Sequence, residues 1–278
     1  MSYEAILTPY YDAAPRPRVE VLFESFAPGT ARITLYRTAQ GRAYEVRGAV
    51  NVPVAGAFSR IDLEVPFGVE FGYYAFMVDA AGMSLGSTTV SQITMNVAQT
   101  WVHNPLDPQG ATTVEFRGQA ARSLVRPSEG EVVYPMGRTV GVLVSGQRRG
   151  LSNVDLTVVT DSVDQVDRLQ AMLGGYGSTL PPILCISVGA YDQIRLPRPF
   201  FAAVLSASEQ DDNYVFGGGM ITTEMQGSEV SPPSPGIFIS LLKRDDIDAF
   251  YPTRADIDAG NATRLDIDRR YELIGLSY

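Results

Sequence analysis

Between residues 19 and 99 the chain alternates apolar and polar side chains in short runs: "VEVLFESF", "ARITLYRT", "YEVRGAV", "SRIDLEVP", "GYYAFMVDA" and "VSQITMNVA". A period of two puts one set of side chains on a core face and the other in water. A helix with 3.6 residues per turn cannot do this, so the segment is restricted to β-strands. The intervening "PGT", "AQGR", "PFG" and "DAAGM" carry the Gly, Pro and Asp residues that reverse a chain between strands.

Roughly six or seven strands in about 90 residues is the size of an immunoglobulin-like or fibronectin-like sandwich, which is expected over residues 1–99. The chain has one Cys and one Trp, so the Cys…Trp…Cys framework of antibody domains is missing. "TWVHNPLDPQG" at 100–110 breaks the alternation. Its two prolines remove backbone donors and force extended geometry on their neighbours, so this stretch reads as a Pro-rich linker.

Strand-like runs resume after it in "TTVEFRGQA", "TVGVLVSGQRR", "NVDLTVVTD", "PPILCISVG", "FFAAVLSASEQ", "MITTEMQG" and "GIFISLLKR". One segment, "DSVDQVDRLQAMLGG", has a helical period. Asp161 or Ser162 can cap it, Asp164 suits its first turn, Val163, Val166, Leu169 and Leu173 form an apolar stripe, and Gly174 and Gly175 end it. The expected second unit is a mainly antiparallel β domain over 111–244 with one amphipathic helix at 162–173, followed by a partly helical tail over 245–278. The fold class is therefore mainly β.

The composition excludes several chemistries. Cys185 lies in an apolar run and has no second cysteine to pair with, so it reads as a core thiol. One His and one Cys cannot build a zinc site. His103, in the Pro-rich stretch, is the only histidine available for a nucleophile–histidine pair and is a poor candidate there. "FGGGM" at 216–220 has Thr222 where a dinucleotide fingerprint requires its third glycine, and it reads as a hairpin tip. No catalytic residue, cofactor site or metal site is assigned, and the chain is not expected to be an enzyme. A net charge of −9 argues against general or sequence-specific nucleic-acid binding, and no apolar stretch reaches the length of a membrane span. With no basic-then-apolar leader at the N-terminus, synthesis in a cytoplasm is expected.

Asp-Ile-Asp recurs at 246–248, 256–258 and 266–268. A calcium loop needs Gly at its sixth position; counted from Asp256, Asn261 stands there. From 241 to 278 eight acids face six bases, so the acids can be offset without an ion. Thr253 and Thr263 precede two of the copies. Each repeat therefore reads as a Thr-capped turn that feeds a short helix with early aspartates.

Three stretches, "ITLYRTAQGRAYEVRGAV", "DLEVPFGVEFGYYAFMVDAAG" and "TWVHNPLDP", resemble in that order the minor tail proteins of siphophages of actinobacteria. "VLVSGQRRGLSNVDLTVVTDSVDQVDRLQAML" is similar to the strand, Arg-rich turn, strand and helix of distal-tail and tail-tip baseplate proteins. Of the 22 basic residues only Lys243 is lysine, which agrees with a GC-rich host. The resemblance implies a virion structural protein at the tip of a long non-contractile tail, made in the host cytoplasm. Its expected partners are copies of itself in a ring, a hexamer in preference to a trimer, and neighbouring tail-tip, tail-tube and hub proteins. Trp101, Arg148 and Arg149 are the expected interface residues. The alternatives are a tail protein that binds host-wall carbohydrate through Tyr10, Tyr11, Phe67, Phe71, Tyr73 and Tyr74, at least half of which the alternation assigns to the core, and a wall hydrolase working through two carboxylates.

Overall fold

A computed structural model describes residues 3–174, 180–213, 218–235 and 244–261, together with Ile267, Arg270 and Leu273. The described chain is mainly β, as expected, and has two separate hydrophobic cores.

The first half contains β1 (Ile6–Tyr10), β2 (Arg18–Phe23), β3 (Arg32–Ala39), β4 (Arg42–Glu45), β5 (Val52–Pro53), β6 (Phe58–Asp62), β7 (Glu70–Val78), β8 (Ser84–Ser87) and β9 (Ser91–Thr94). One sheet runs β1-β2-β6. The other runs β4-β3-β7-β8, with β5 added to β3 and β9 to β7. The alternation explains the core. Val19, Val21 and Phe23 from one sheet meet Ile33, Leu35, Phe71, Tyr73, Ala75 and Met77 from the other, all buried. This is a two-sheet sandwich whose inner faces share one apolar layer.

Beyond it lie β10 (Thr100–Asn104), β11 (Asp107–Phe116), β12 (Ser128–Val133), β13 (Val142–Arg148), β14 (Val154–Asp155), β15 (Val158–Thr160), α1 (Val163–Gly174), β16 (Ile183–Ser187), β17 (Phe200–Asp211) and β18 (Ile221–Glu229). The order β18-β15-β11-β10-β16-β17 returns to β18 through a β17–β18 pairing, so six antiparallel strands close into a barrel, and β14 pairs with β18 beside β15. Helix α1 lies against β10, β11 and β16, and its Leu169 and Met172 enter the barrel core beside Val102, Val114, Leu184 and Phe200. A mainly antiparallel sheet with one helix is the expectation for this unit. The structure closes that sheet, and closure removes the exposed edges an open one would leave.

The stretch read as a linker is not one. Residues 100–110 form β10 and the start of β11, in the middle of the barrel wall. Pro105 and Leu106 form the turn of a tight hairpin whose ends pair as Asn104 and Asp107, and the Asn104 side chain accepts the Leu106 N–H at 3.0 Å. Pro108 falls at the beginning of β11, a position that a residue without an N–H tolerates. The barrel thus begins at Thr100 rather than at residue 111.

In the tail, α2 (Arg244–Phe250) and α3 (Arg254–Gly260) carry the first two Asp-Ile-Asp copies. Thr253 caps α3 reciprocally with Asp256: the Thr253 hydroxyl accepts the Asp256 N–H, and the Asp256 carboxylate accepts the Thr253 N–H at 3.0 Å. Of the third copy only Ile267 is described, and the expected strand "GIFISLLKR" lies almost wholly outside the described residues.

Leu169 joins the helix to the barrel interior and is fully buried. Leu169→Ala should cost about 2–5 kcal/mol through lost transfer energy and the cavity left behind, read as a drop in the urea midpoint at constant slope.

Candidate functional site

Two places hold the side chains with the most chemistry: a buried polar seam between the cores and an exposed hairpin.

At the seam, Arg16 is fully buried without a carboxylate among its hydrogen-bond partners. One guanidinium N–H donates to His103 Nδ1 on β10, another to Ser187 Oγ on β16 at 2.7 Å, and the group lies 5.6 Å from the centre of the Phe67 ring. Ser187 in turn donates to the Val65 carbonyl at 2.8 Å. A single cation thereby ties the sandwich to two adjacent strands of the barrel. Burial draws the Arg16 pKa down. Arginine can only donate, so His103 accepts at Nδ1 and keeps its proton on Nε2. Burial, reinforced by the Arg16 charge, pushes the His103 pKa well below its ordinary value. Its neighbour in β16, Cys185, is equally buried, and its thiol is pushed up to about 12 by that burial.

Acids gather on the sandwich side. Asp62 accepts Arg37 at 2.5 Å and the Tyr73 hydroxyl at 2.8 Å, and its other oxygen takes the Glu64 N–H at 2.9 Å. Burial works against the Arg37 charge, but Asp62, Tyr73 and Glu64 outweigh it and hold the guanidinium charged. Glu64 receives Arg47 at 2.8 Å, yet burial still raises its pKa. Arg47 continues to the carbonyls of Pro233 and Ser234 beyond the barrel's last described strand, and Arg42 reaches Glu229 on β18 at 2.6 Å. Paired carboxylates can act as acid and base when they flank a cleft. Asp62 and Glu64 are instead buried and joined to arginines, which is the chemistry of a joint.

Trp101 lies on β10 half-buried and packs onto the sandwich core, so its ring is spent on contacts within the chain. Of the six aromatics considered for carbohydrate, Phe67, Phe71 and Tyr73 are core, Tyr74 stacks on Tyr36, and Tyr10 lies under Arg18. Only Tyr11 among them is strongly exposed. Among the described residues no group of three or more His, Cys, Asp or Glu could hold a metal ion, and no helix is long and apolar enough to cross a membrane.

Arg148 and Arg149 sit where β13 returns to the body. Strands β12 and β13 pair only with each other, and every residue in both is exposed. Paired residues share a face. Val133, Val142 and Val144 therefore lie on one face, with Glu131, and Val132 and Leu143 lie on the other, with Gly130 and Ser145. The turn adds exposed Tyr134, Met136 and Val140. Arg149 pairs with Glu129 at the root of this arm. The sequence reading placed "TVGVLVSGQRR" in the body of the β domain and overlooked "SEGEVVYP". The readable signal was apolar residues on both faces around a Pro-Met-Gly turn.

His103 should leave a pH signature. Above its ordinary pKa of 6.5 both folded and unfolded chains hold it neutral; below that, only the unfolded chain takes up the proton, so stability falls as pH drops. The contribution approaches about 1.4 kcal/mol per pH unit, and the stability gap between the native protein and His103→Asn should narrow in urea titrations run from pH 7.5 down to about 5.5. Parallel profiles would refute the assignment. At the same seam, Gly68 has φ +68°, and a Cβ there would lie 2.7 Å from the Ala190 backbone. Gly68→Ala should destabilise by about 2–5 kcal/mol, measured as a fall in denaturation midpoint.

Compared with known proteins, the chain matches no family model, no curated protein and no solved structure.

Proposed function

We propose that this chain is a structural subunit that works by assembly, a minor protein at the tip of a long non-contractile phage tail, set in a ring of its own copies and touching tail-tube and hub neighbours. The observation that carries the reading is the exposed β12–β13 arm. A two-stranded ribbon alone is marginally stable in water, and this one presents large apolar side chains on both faces. Such a surface marks a place that a partner covers, and we read that partner as another protein.

The sequence resemblance supplies the setting, and the seam is consistent with it. Charged groups in the interior tie the sandwich to the barrel, as suits a part that must hold a fixed shape. The reading of Arg148 and Arg149 as interface residues follows from their place at the arm root. Trp101 serves the joint inside the chain.

Immunogold labelling of the virus particles that encode the chain should place the label at the distal end of the tail. Label on the capsid, or none on intact or opened particles, would reject the reading.

A further inference from the structure

We infer that the cleft along β11 and β15 of the barrel binds a short oligosaccharide without net charge. This goes beyond the assembly reading and does not depend on it.

The shape gives the first reason. Residues 113–117 run along the cleft, and the loop 118–126, residues 98–100 and the loop 192–195 wall it, to give a volume of about 1120 Å³. That exceeds the roughly 300–1,000 Å³ of an ordinary small-molecule site, so the cleft has room for more than one sugar ring. It is also held in shape by its own side chains. The Thr100 hydroxyl donates to the Asp192 carboxylate at 3.0 Å and fixes the 192–195 loop to β10. Gln165 accepts the Asp161 N–H at 2.9 Å and donates to Thr113 Oγ1 at 3.0 Å, which fixes the start of α1 to β11.

The unspent polar groups give the second. The side chains of Gln99, Glu115, Asp161, Gln193 and Arg195 all line the cleft, and none has a hydrogen bond or an ion pair. Carboxylates only accept, a guanidinium only donates and amides do both. A hydroxyl, which donates and accepts, can satisfy each of the three kinds, and a saccharide presents hydroxyls in number. Beside these groups Phe116, Leu124 and Ile194 reach from the barrel core into the cleft half-buried, an apolar patch that suits the C–H face of a sugar ring. Tyr191, at the start of the same loop as Ile194, is exposed and makes no ring contact or hydrogen bond through its side chain.

Charge and backbone narrow the class. Arg117 is spent on Asp212 and Thr222. Arg122, Arg126 and Arg195 then stand against Glu115, Asp161 and Asp192, an even balance that favours neither a polyanion nor a polycation. An extended peptide gains most of its affinity by adding a strand to a sheet edge. β11 lies between β10 and β15, and β15 between β11 and β18, so neither strand along the cleft is an edge of its sheet.

The full-length chain tests this on an array of defined bacterial, plant and animal oligosaccharides, with calorimetric titration of those it retains. At least one neutral oligosaccharide should bind with a dissociation constant between millimolar and micromolar, and its monosaccharide unit should bind more weakly. Arg195→Ala and Glu115→Gln should each weaken binding about tenfold, the loss expected for one hydrogen bond to a charged group. Both positions are exposed, so circular dichroism and melting should match the native protein. Tyr11→Ala, at the exposed sandwich aromatic, should leave binding unchanged. Retention of no saccharide overturns the inference. So does binding that both cleft substitutions leave unaltered, or that Tyr11→Ala abolishes, because the sugar then sits elsewhere. Binding of a glutamate decapeptide, lost in Arg195→Ala, by a chain that retains no saccharide would make the cleft a peptide site and also overturn it. None of these results bears on the tail-tip reading, which the labelling decides.

Discussion

The constraint on which this molecule turns is the unpaired strand edge. Each backbone N–H and C=O that folding leaves beside a strand needs a partner, and a chain built mainly of strands has many of them. The two halves answer differently. The barrel removes its edges by pairing β17 with β18, so that six strands close on one another. The sandwich keeps its edges short: β4, β8 and β9 have four residues each, β5 has two, and β1 and β6, the edges of the other sheet, have five each. Short edges offer little template. The arm is the exception, the longest unshared pair of edges in the described chain.

The same demand for partners explains the seam. Taking an arginine out of water costs several kcal/mol unless each of its donors is satisfied. Arg16 meets that cost with an imidazole, a hydroxyl and a carbonyl drawn from both halves, and it can do so only when sandwich and barrel sit in one arrangement. A purely apolar seam would tolerate sliding; directed donors do not. The Asp62–Arg37–Tyr73 cluster and the Arg47 bonds to Pro233 and Ser234 extend this directionality towards the chain's last described segment. The buried charges thus act as a register for the joint.

Local physics was legible in the sequence, and distant pairing was not. The alternation from 19 to 99 gave the sandwich because a period of two is a property of each strand by itself. The caps of α1 and α3 were readable for the same reason: Thr253 and Asp256 stand three residues apart and need nothing else. Pro105 and Pro108 misled because a proline-rich turn inside a barrel and a proline-rich linker between domains have the same composition. What separates them is the pairing of β10 with β16, some 80 residues onward. The partners of Arg16 lie 87 and 171 positions away, and no spacing rule reaches that far. In the arm, apolar residues announced that "TVGVLVSGQRR" would be covered. Hydrophobicity carries no record of whose surface does the covering.

An exposed apolar ribbon is also a hazard, and the arm's own sequence limits it. Arg138 stands at its tip, Pro135 removes a donor in the turn, and Gly130, Gly141 and Gly146 interrupt the strands with residues that promote neither stiff nor sticky edges.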